Sequence, residues 1–483
     1  MRKILNNIKY QDYLLLVTLY IATLVFYTWG INSWRFSFVG DEWYFFTYAA
    51  DIVSKSFMVN PFDLNGVFSQ NPVLGSIWQA LFMWVIGVNN FAWRFSNVIL
   101  IVPISFFSYT WLRSLINRKV ALMTAVLICS SAYFANFLKI GKVNPLALAM
   151  LMLLFYLAEQ ARLKDKRLNY ILIGVLLGLS FYVYIGPLFP FILSPYLLLL
   201  FKRKNLDKYI QMVIIYLIFV SLALFSIQQH LGPTAEKTIL NPEFENKSQV
   251  IINILRNFAL YYKNFDYNYN HFVIGPYLDF ITRILALIGS FMVVMKIKNL
   301  SYAIILSLYI CTIVAIGITS PYVYAPTMRG IYFLPFGYIF AAIALVKISS
   351  YLPKILIYIL IIVIFGINVY QSQIRIFQLV NHQETALIIK YLQQAEVGSE
   401  SVLLLSDSSS FNEYNLAPIK IAYDLIESKL TVIHSSRVDC NQVSHKTVLV
   451  PKSELTKIDT DLLSECDNMD KVIIIILDPL VSK

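Results

Sequence analysis

Eleven times along the chain, a run of apolar residues approaches or reaches the length needed to cross a bilayer. A spanning helix needs about 20 mostly apolar residues. The runs fall at 12–30, 94–112, 120–138, 145–160, 169–185, 187–201, 209–228, 275–295, 301–319, 330–346 and 354–371. Hydrocarbon offers no partner to backbone N–H and C=O groups, so such runs must be helical. Of 483 residues, 58% are hydrophobic and 14% charged. A soluble domain has about 25% charge. Mean hydropathy of +0.64 agrees. The chain is read as an α-helical polytopic membrane protein with about eleven transmembrane helices.

The net charge of +11 is not gathered on a soluble face, which excludes nucleic acid as its explanation. It lies mostly in short loops between apolar runs. One set carries Arg2, Lys3 and Lys9, then Arg113, Arg118 and Lys119, then Arg162, Lys164, Lys166 and Arg167. It continues with Lys202, Arg203, Lys204 and Lys208, then Lys296 and Lys298, then Lys347 and Lys354. The positive-inside rule makes these loops cytoplasmic. The opposite set is 31–93, 139–144, Gly186, 229–274, 320–329 and everything after 371. Residues 77–88 are apolar but too few to span. They are read as a helix in the outer interface, anchored by Trp78 and Trp84. The first apolar run is too long for a cleaved signal peptide and lacks a small-residue cleavage site, so it is read as a retained span.

The chain divides into a membrane domain, 1–372, and a tail domain, 383–483. In the tail, 401–406, 430–434, 447–451 and 471–477 read as strands, and 382–394 and 417–428 as helices. This alternation predicts a small α/β domain. The odd span count places it outside the membrane. Cys129 and Cys311 fall in apolar runs, and Cys440 and Cys466 in the tail, where an oxidising compartment would allow pairing. No cysteine spacing suits a metal.

Candidate chemistry lies in the outer loops, since charges deep in the spans are nearly absent. Asp41 and Glu42 follow Gly40 just beyond the first span, and the run 43–53 reads as a second interfacial helix. A carboxylate in such a setting can be tuned for general-base work. The same pair also suits a helix start, with Asp41 as cap and Glu42 on the dipole. Lys139 and Lys142 sit in a short outer loop against the positive-inside bias. An interfacial phosphate would account for them, and so would snorkelling. Arg329, beside Tyr324 in the loop 320–329, suits bidentate phosphate recognition or interfacial anchoring. Tyr262 and His271 belong to an aromatic, polar stretch suited to sugar stacking or to an interfacial belt.

Gly40-Asp41-Glu42 resembles the acidic pair of the type C glycosyltransferases, the enzymes related to protein O-mannosyltransferases and to the lipid A aminoarabinose transferase. The likeness extends through Asn60-Pro61-Phe62, Asn71-Pro72-Val73 and 87–94. It continues through 139–145, 174–180, Tyr182-Val183-Tyr184 and Arg329 with Leu334-Pro335, so it covers about 10–370. It implies a polyprenyl-phosphate sugar donor and inverting transfer on the outer face. Asp41 would be the general base and Glu42 would position the acceptor. Lys142, Arg329 and Lys139 would hold the donor phosphate, with Tyr324, Tyr262 and His271 near the substrates. Many relatives carry a second acid near 139–145, where this chain has Asn144. No metal is expected to be obligatory, although a divalent cation remains compatible with the acids present.

The resulting expectation is a glycosyltransferase of the bacterial inner (plasma) membrane, multi-pass, with site and tail extracytoplasmic. Its partners would be the lipid bilayer, a polyprenyl-phosphate sugar and an envelope acceptor (lipid, glycan or protein). The alternatives are a flippase or transporter, or a polymerase, of lipid-linked glycans. A transporter should carry more polar residues in its spans, or internal repeats.

Overall fold

A computed structural model describes residues 10–32, 41–67, 71–184, 186–230, 247–259, 277–319, 329–375, 400–405, 407, 429–434, 446–451 and 473–477. Among these, seven helices are long and apolar enough to cross a membrane. They are Gln11–Thr28, Asn90–Leu115, Asn144–Lys164, Arg203–Ala223, Leu300–Thr319, Gly330–Ile348 and Lys354–Ser372.

The other four expected spans are shorter or interrupted. Phe280–Met295 and Arg167–Ser180 are apolar helices of 16 and 14 residues. The run 120–138 divides into Arg118–Cys129 and Ala132–Phe137. Ser131 causes the break: its hydroxyl accepts from Phe134 N at 3.1 Å and starts the second helix. The run 187–201 divides at its prolines into Gly186–Leu188, Phe189–Ile192 and Ser194–Leu200. Proline fits a first turn but not a helix interior.

The helix Leu334–Ile348 forms the centre, buried from Leu334 to Leu345. Phe280–Met295 crosses it at Gly289, so closely that a Cβ there would lie 1.8 Å from the Phe340 carbonyl oxygen. Small residues permit such backbone approach between membrane helices. Asp279 caps this helix, accepting from Thr282 N at 2.9 Å. It also accepts from Asn368 Nδ2 at 3.0 Å, and Asn368 Oδ1 accepts from Ala132 N at 2.8 Å. Three helices are thereby joined through one buried carboxylate and one buried amide.

The stretch 229–274, expected as loop, contains the helix Lys247–Ala259. Its sidedness is the reverse of a water-soluble helix. Asn253 and Asn257 are buried, while Ile251, Ile252 and Leu255 are exposed. Asn257 donates to the Ile313 carbonyl at 3.3 Å, and Ile254 packs at Gly317. Apolar residues outward and amides inward is the arrangement lipid demands.

Asp12, fully buried, accepts from Arg118 Nε at 2.7 Å and from the Tyr109 hydroxyl at 3.0 Å. Buried Glu159 likewise accepts from Arg162 Nη2 at 2.6 Å and from the Tyr196 hydroxyl at 3.1 Å.

In the tail, four strands form one sheet: β1 Glu400–Leu405, β2 Lys429–His434, β3 Thr447–Pro451 and β4 Ile473–Leu477. All neighbours are parallel, in the order β2-β1-β3-β4. The four strands lie within two residues of their expected bounds. Parallel pairing requires crossover connections. The expected helices 382–394 and 417–428, with Cys440 and Cys466, lie outside the described residues.

Candidate active site

The site begins with two helices set against one loop. Val73–Ile86 ends at Gly87, whose φ of 108° lets the chain turn sharply. Asn89 then caps Asn90–Val98, accepting from Ala92 N at 2.9 Å. Arg94 and Asn97 stand three residues apart, hence on one helix face. Both reach the loop 139–142, as does Gln79 from the preceding helix.

Four consecutive carbonyls of that loop accept from these side chains. Arg94 Nη1 donates to Lys139 O. Asn97 Nδ2 donates to Ile140 O at 3.1 Å and to Lys142 O at 2.7 Å. Gln79 Nε2 donates to Gly141 O at 2.7 Å. Asn90 Oδ1 steadies the guanidinium by accepting from Arg94 Nε at 2.7 Å. Gly141 lies on the Trp93 indole, where a Cβ would approach Cζ2 to 1.9 Å. The loop is thus fixed from beneath along its whole length.

The two loop lysines diverge. Lys139 is fully buried, and its ammonium donates to the Trp29 carbonyl at 3.2 Å. Burial, with the Arg94 guanidinium adding to it, pulls Lys139 down to about 7 from an ordinary 10.5. Below about 7 both folded and unfolded chains hold this proton, and the cost of burying the charge is complete. Above it the folded chain releases the proton first, so stability should rise with pH until the unfolded lysine titrates. The melting midpoint in detergent is expected to climb from about pH 7 toward about pH 10. The climb should be smaller in Lys139→Met; equal slopes would reject this account.

Lys142 turns the other way. Its ammonium lies 5.9 Å from the centre of the Phe45 ring. Phe45 belongs to the helix Asp41–Ser54, one turn after Asp41, the first helical residue. Phe45 also joins a buried cluster with Phe46, Trp93 and Val143, against which Tyr184 packs. Arg329 lies over Tyr184, its guanidinium carbon 5.8 Å from the ring centre and its Nε donating to the hydroxyl at 3.1 Å. Tyr332 closes the group, its hydroxyl 3.3 Å from Asn144 O and 3.4 Å from Tyr184 O. Arg329 Nη1 and Asn144 Nδ2 are buried without a hydrogen-bond partner among the described residues.

Two cations from distant loops therefore border one aromatic cluster, beside a helix that starts with two carboxylate residues. Such a place can hold an anion. Among the described residues, no three His, Cys, Asp or Glu side chains group as a metal set. Tyr324, Tyr262 and His271 lie outside the described residues.

Residues 70–228 match the family model described as Dolichyl-phosphate-mannose-protein mannosyltransferase. ArnT from Cupriavidus metallidurans, bound to undecaprenyl phosphate, superposes with a TM-score of 0.52 at 10% identity, covering 95% of this chain and 89% of that one. The chain shares the fold of this ArnT over nearly its whole length. The apo form of the same ArnT gives a TM-score of 0.49 at 12% identity, covering 68% of this chain and 59% of that one. The oligosaccharyltransferase AglB of Archaeoglobus fulgidus, with an inhibitory peptide and a dolichol-phosphate, gives 0.49 at 10% identity, covering 87% and 65%. No curated protein matches significantly. The segment matched by the family model contains Gln79, Arg94, Asn97, Lys139, Lys142 and Tyr184. Asp41, Glu42 and Arg329 lie beyond it.

Sequence reasoning assigned no site role to Gln79, Asn97, Tyr184 or Tyr332. Its one accessible signal was the helical spacing of Arg94 and Asn97, two polar residues on one face of an apolar segment.

Proposed function

We propose that the chain is an inverting glycosyltransferase that moves one monosaccharide from a polyprenyl phosphate to an envelope acceptor on the outer face of the membrane. The observation that carries the reading is the convergence of Lys142 and Arg329 on the aromatic cluster one helical turn from Asp41. The undecaprenyl phosphate of ArnT and the dolichol-phosphate of AglB are the ligands of those proteins. A donor of the same class suits a cationic site at the end of a membrane bundle.

In this mechanism Asp41 takes the proton of the acceptor hydroxyl, and the oxygen attacks C1 of the sugar from the face opposite the phosphate. The C1–O bond to phosphate breaks, and its electron pair leaves with the lipid phosphate. Lys142 and Arg329 stabilise the charge that grows there, an effect worth most when the cations are held in place beforehand. Glu42 orients the acceptor. Lys139, turned toward the first helix, is assigned to anchoring the loop rather than to the phosphate. Eleven membrane crossings, with the tail completed as an α/β domain on the site's side, complete this arrangement. The membrane would be a bacterial plasma membrane.

The test is reconstitution with labelled polyprenyl-phosphate hexoses and pentoses and an envelope-lipid extract. Transfer of label with release of polyprenyl phosphate is expected, and it should persist in chelator. No turnover across the panel overturns the proposal. Label that crosses the membrane without leaving its lipid would favour the flippase reading. Complete loss in chelator, restored by Mg²⁺ or Mn²⁺, would make a metal part of the mechanism.

A further inference from the structure

We infer that Asn97 and Gln79 are positioning residues that set the reach of Lys142 toward the lipid phosphate. This rests on the donor-phosphate role proposed for Lys142. The loop 139–142 carries no regular secondary structure, so it lacks a ladder to hold its shape. Its backbone makes turn bonds, among them Ile140 N to Phe137 O at 3.1 Å and Lys142 N to Ile140 O at 2.8 Å, and side chains hold the carbonyls. Asn97 is 1% exposed and Gln79 is fully buried, and each reaches the loop from a different helix. Asn97 spans the two carbonyls on either side of Gly141, and Gln79 takes the one between them.

The bonds to Gly141 O and Lys142 O are the shortest of the three and lie nearest the functional lysine. They fix the backbone from which the Lys142 side chain departs. A lysine side chain has much rotamer freedom to lose, and Lys142, 4% exposed, is already ordered beside Phe45. A fixed backbone origin keeps it so before binding, which is what preorganisation contributes to affinity. Beyond stability, removing the amide should therefore weaken ligand binding through Lys142.

The experiment measures binding of undecaprenyl phosphate to the purified full chain in nanodiscs, with thermal unfolding alongside. Wild type should bind. Lys142→Met and Asn97→Leu should each weaken binding about ten-fold, the size of one charge-assisted contact. In the double variant the Asn97→Leu effect should largely vanish, since contacts acting through one another are not additive. A purely structural Asn97 would lower the melting temperature and leave the affinity of folded protein unchanged, or would add fully to Lys142→Met. Either result overturns the inference. Should Asn97→Leu not fold, Gln79→Met serves in the same cycle with the same expectations. Absence of wild-type binding would instead remove the proposed function itself. Unchanged binding in Lys142→Met would remove the lysine's role and the inference with it.

Discussion

An Asp41→Asn protein is expected to lose sugar transfer by about 10²–10⁴-fold while accumulating like wild type. Asparagine replaces the carboxylate with an amide of nearly the same shape. It is also tolerated at a helix start, where asparagine and aspartate are close in helix propensity. If Asp41 served only to begin the helix Asp41–Ser54, the variant should therefore keep its activity. If it is the base, the amide cannot accept the hydroxyl proton, and no rearrangement of the helix replaces it. Binding of undecaprenyl phosphate should change little, because the carboxylate acts on the acceptor and not on the lipid. Transfer near the wild-type rate, at matched protein levels, would falsify the assignment. Loss of both transfer and lipid binding would point to disruption of the site as a whole.

The second large effect is expected at a helix crossing remote from the chemistry. Gly289→Ala should lower stability by about 3 kcal/mol, the upper part of the usual range for overpacking. The added carbon would lie 1.8 Å from Phe340 O, 2.5 Å from its carbonyl carbon and 3.0 Å from its Cα. These are backbone atoms of the central helix, so no rotamer change relieves the clash. The two helices must separate, and the fully buried helix behind them has little room to follow. Gly366 provides the control in the same membrane domain. A Cβ there meets nothing within 4 Å, so Gly366→Ala should be neutral or slightly stabilising. Thermal unfolding in detergent would show the contrast, and equal midpoints for the two variants would show that the crossing is not as close as described.

Much of the helical scaffold was legible because lipid imposes a simple code of length and apolarity. The code failed where side chains, not hydropathy, ended a helix. Ser131 interrupts one apolar run by capping, and Pro187, Pro190 and Pro195 interrupt another, while the runs around them remain mostly apolar. The helix Lys247–Ala259 was hidden for a related reason: its amides made a polar-looking loop, though they turn inward. The strands of the tail were readable because short β-branched runs are distinctive.

The candidate site was legible in part. Lys142 stood out as a cation against the positive-inside bias and Arg329 as an arginine suited to phosphate, and both border the aromatic cluster. Lys139 gave the same signal for a different reason, since its charge faces the first helix. The clamp beneath the loop was illegible because its partners are 43 to 62 residues apart. Nothing local marks a buried glutamine as the holder of a distant carbonyl.

The Asp12–Arg118 pair, whose members are 106 residues apart, bears on how the bundle is assembled. During synthesis the first helix enters the membrane with an acid near its basic end and no arginine yet made to meet it. A carboxylate near the bilayer centre is costly, about 2.5–3.5 kcal/mol by insertion measures. Asp12 must therefore stay at the wet lip, which sets the depth of the first helix from the start. When the helix Arg118–Cys129 arrives, the guanidinium closes over that carboxylate and the depth becomes permanent. The pair works as a latch between the first helix and a later one. A nascent chain halted before residue 118 should slide in the membrane, and one halted after it should not.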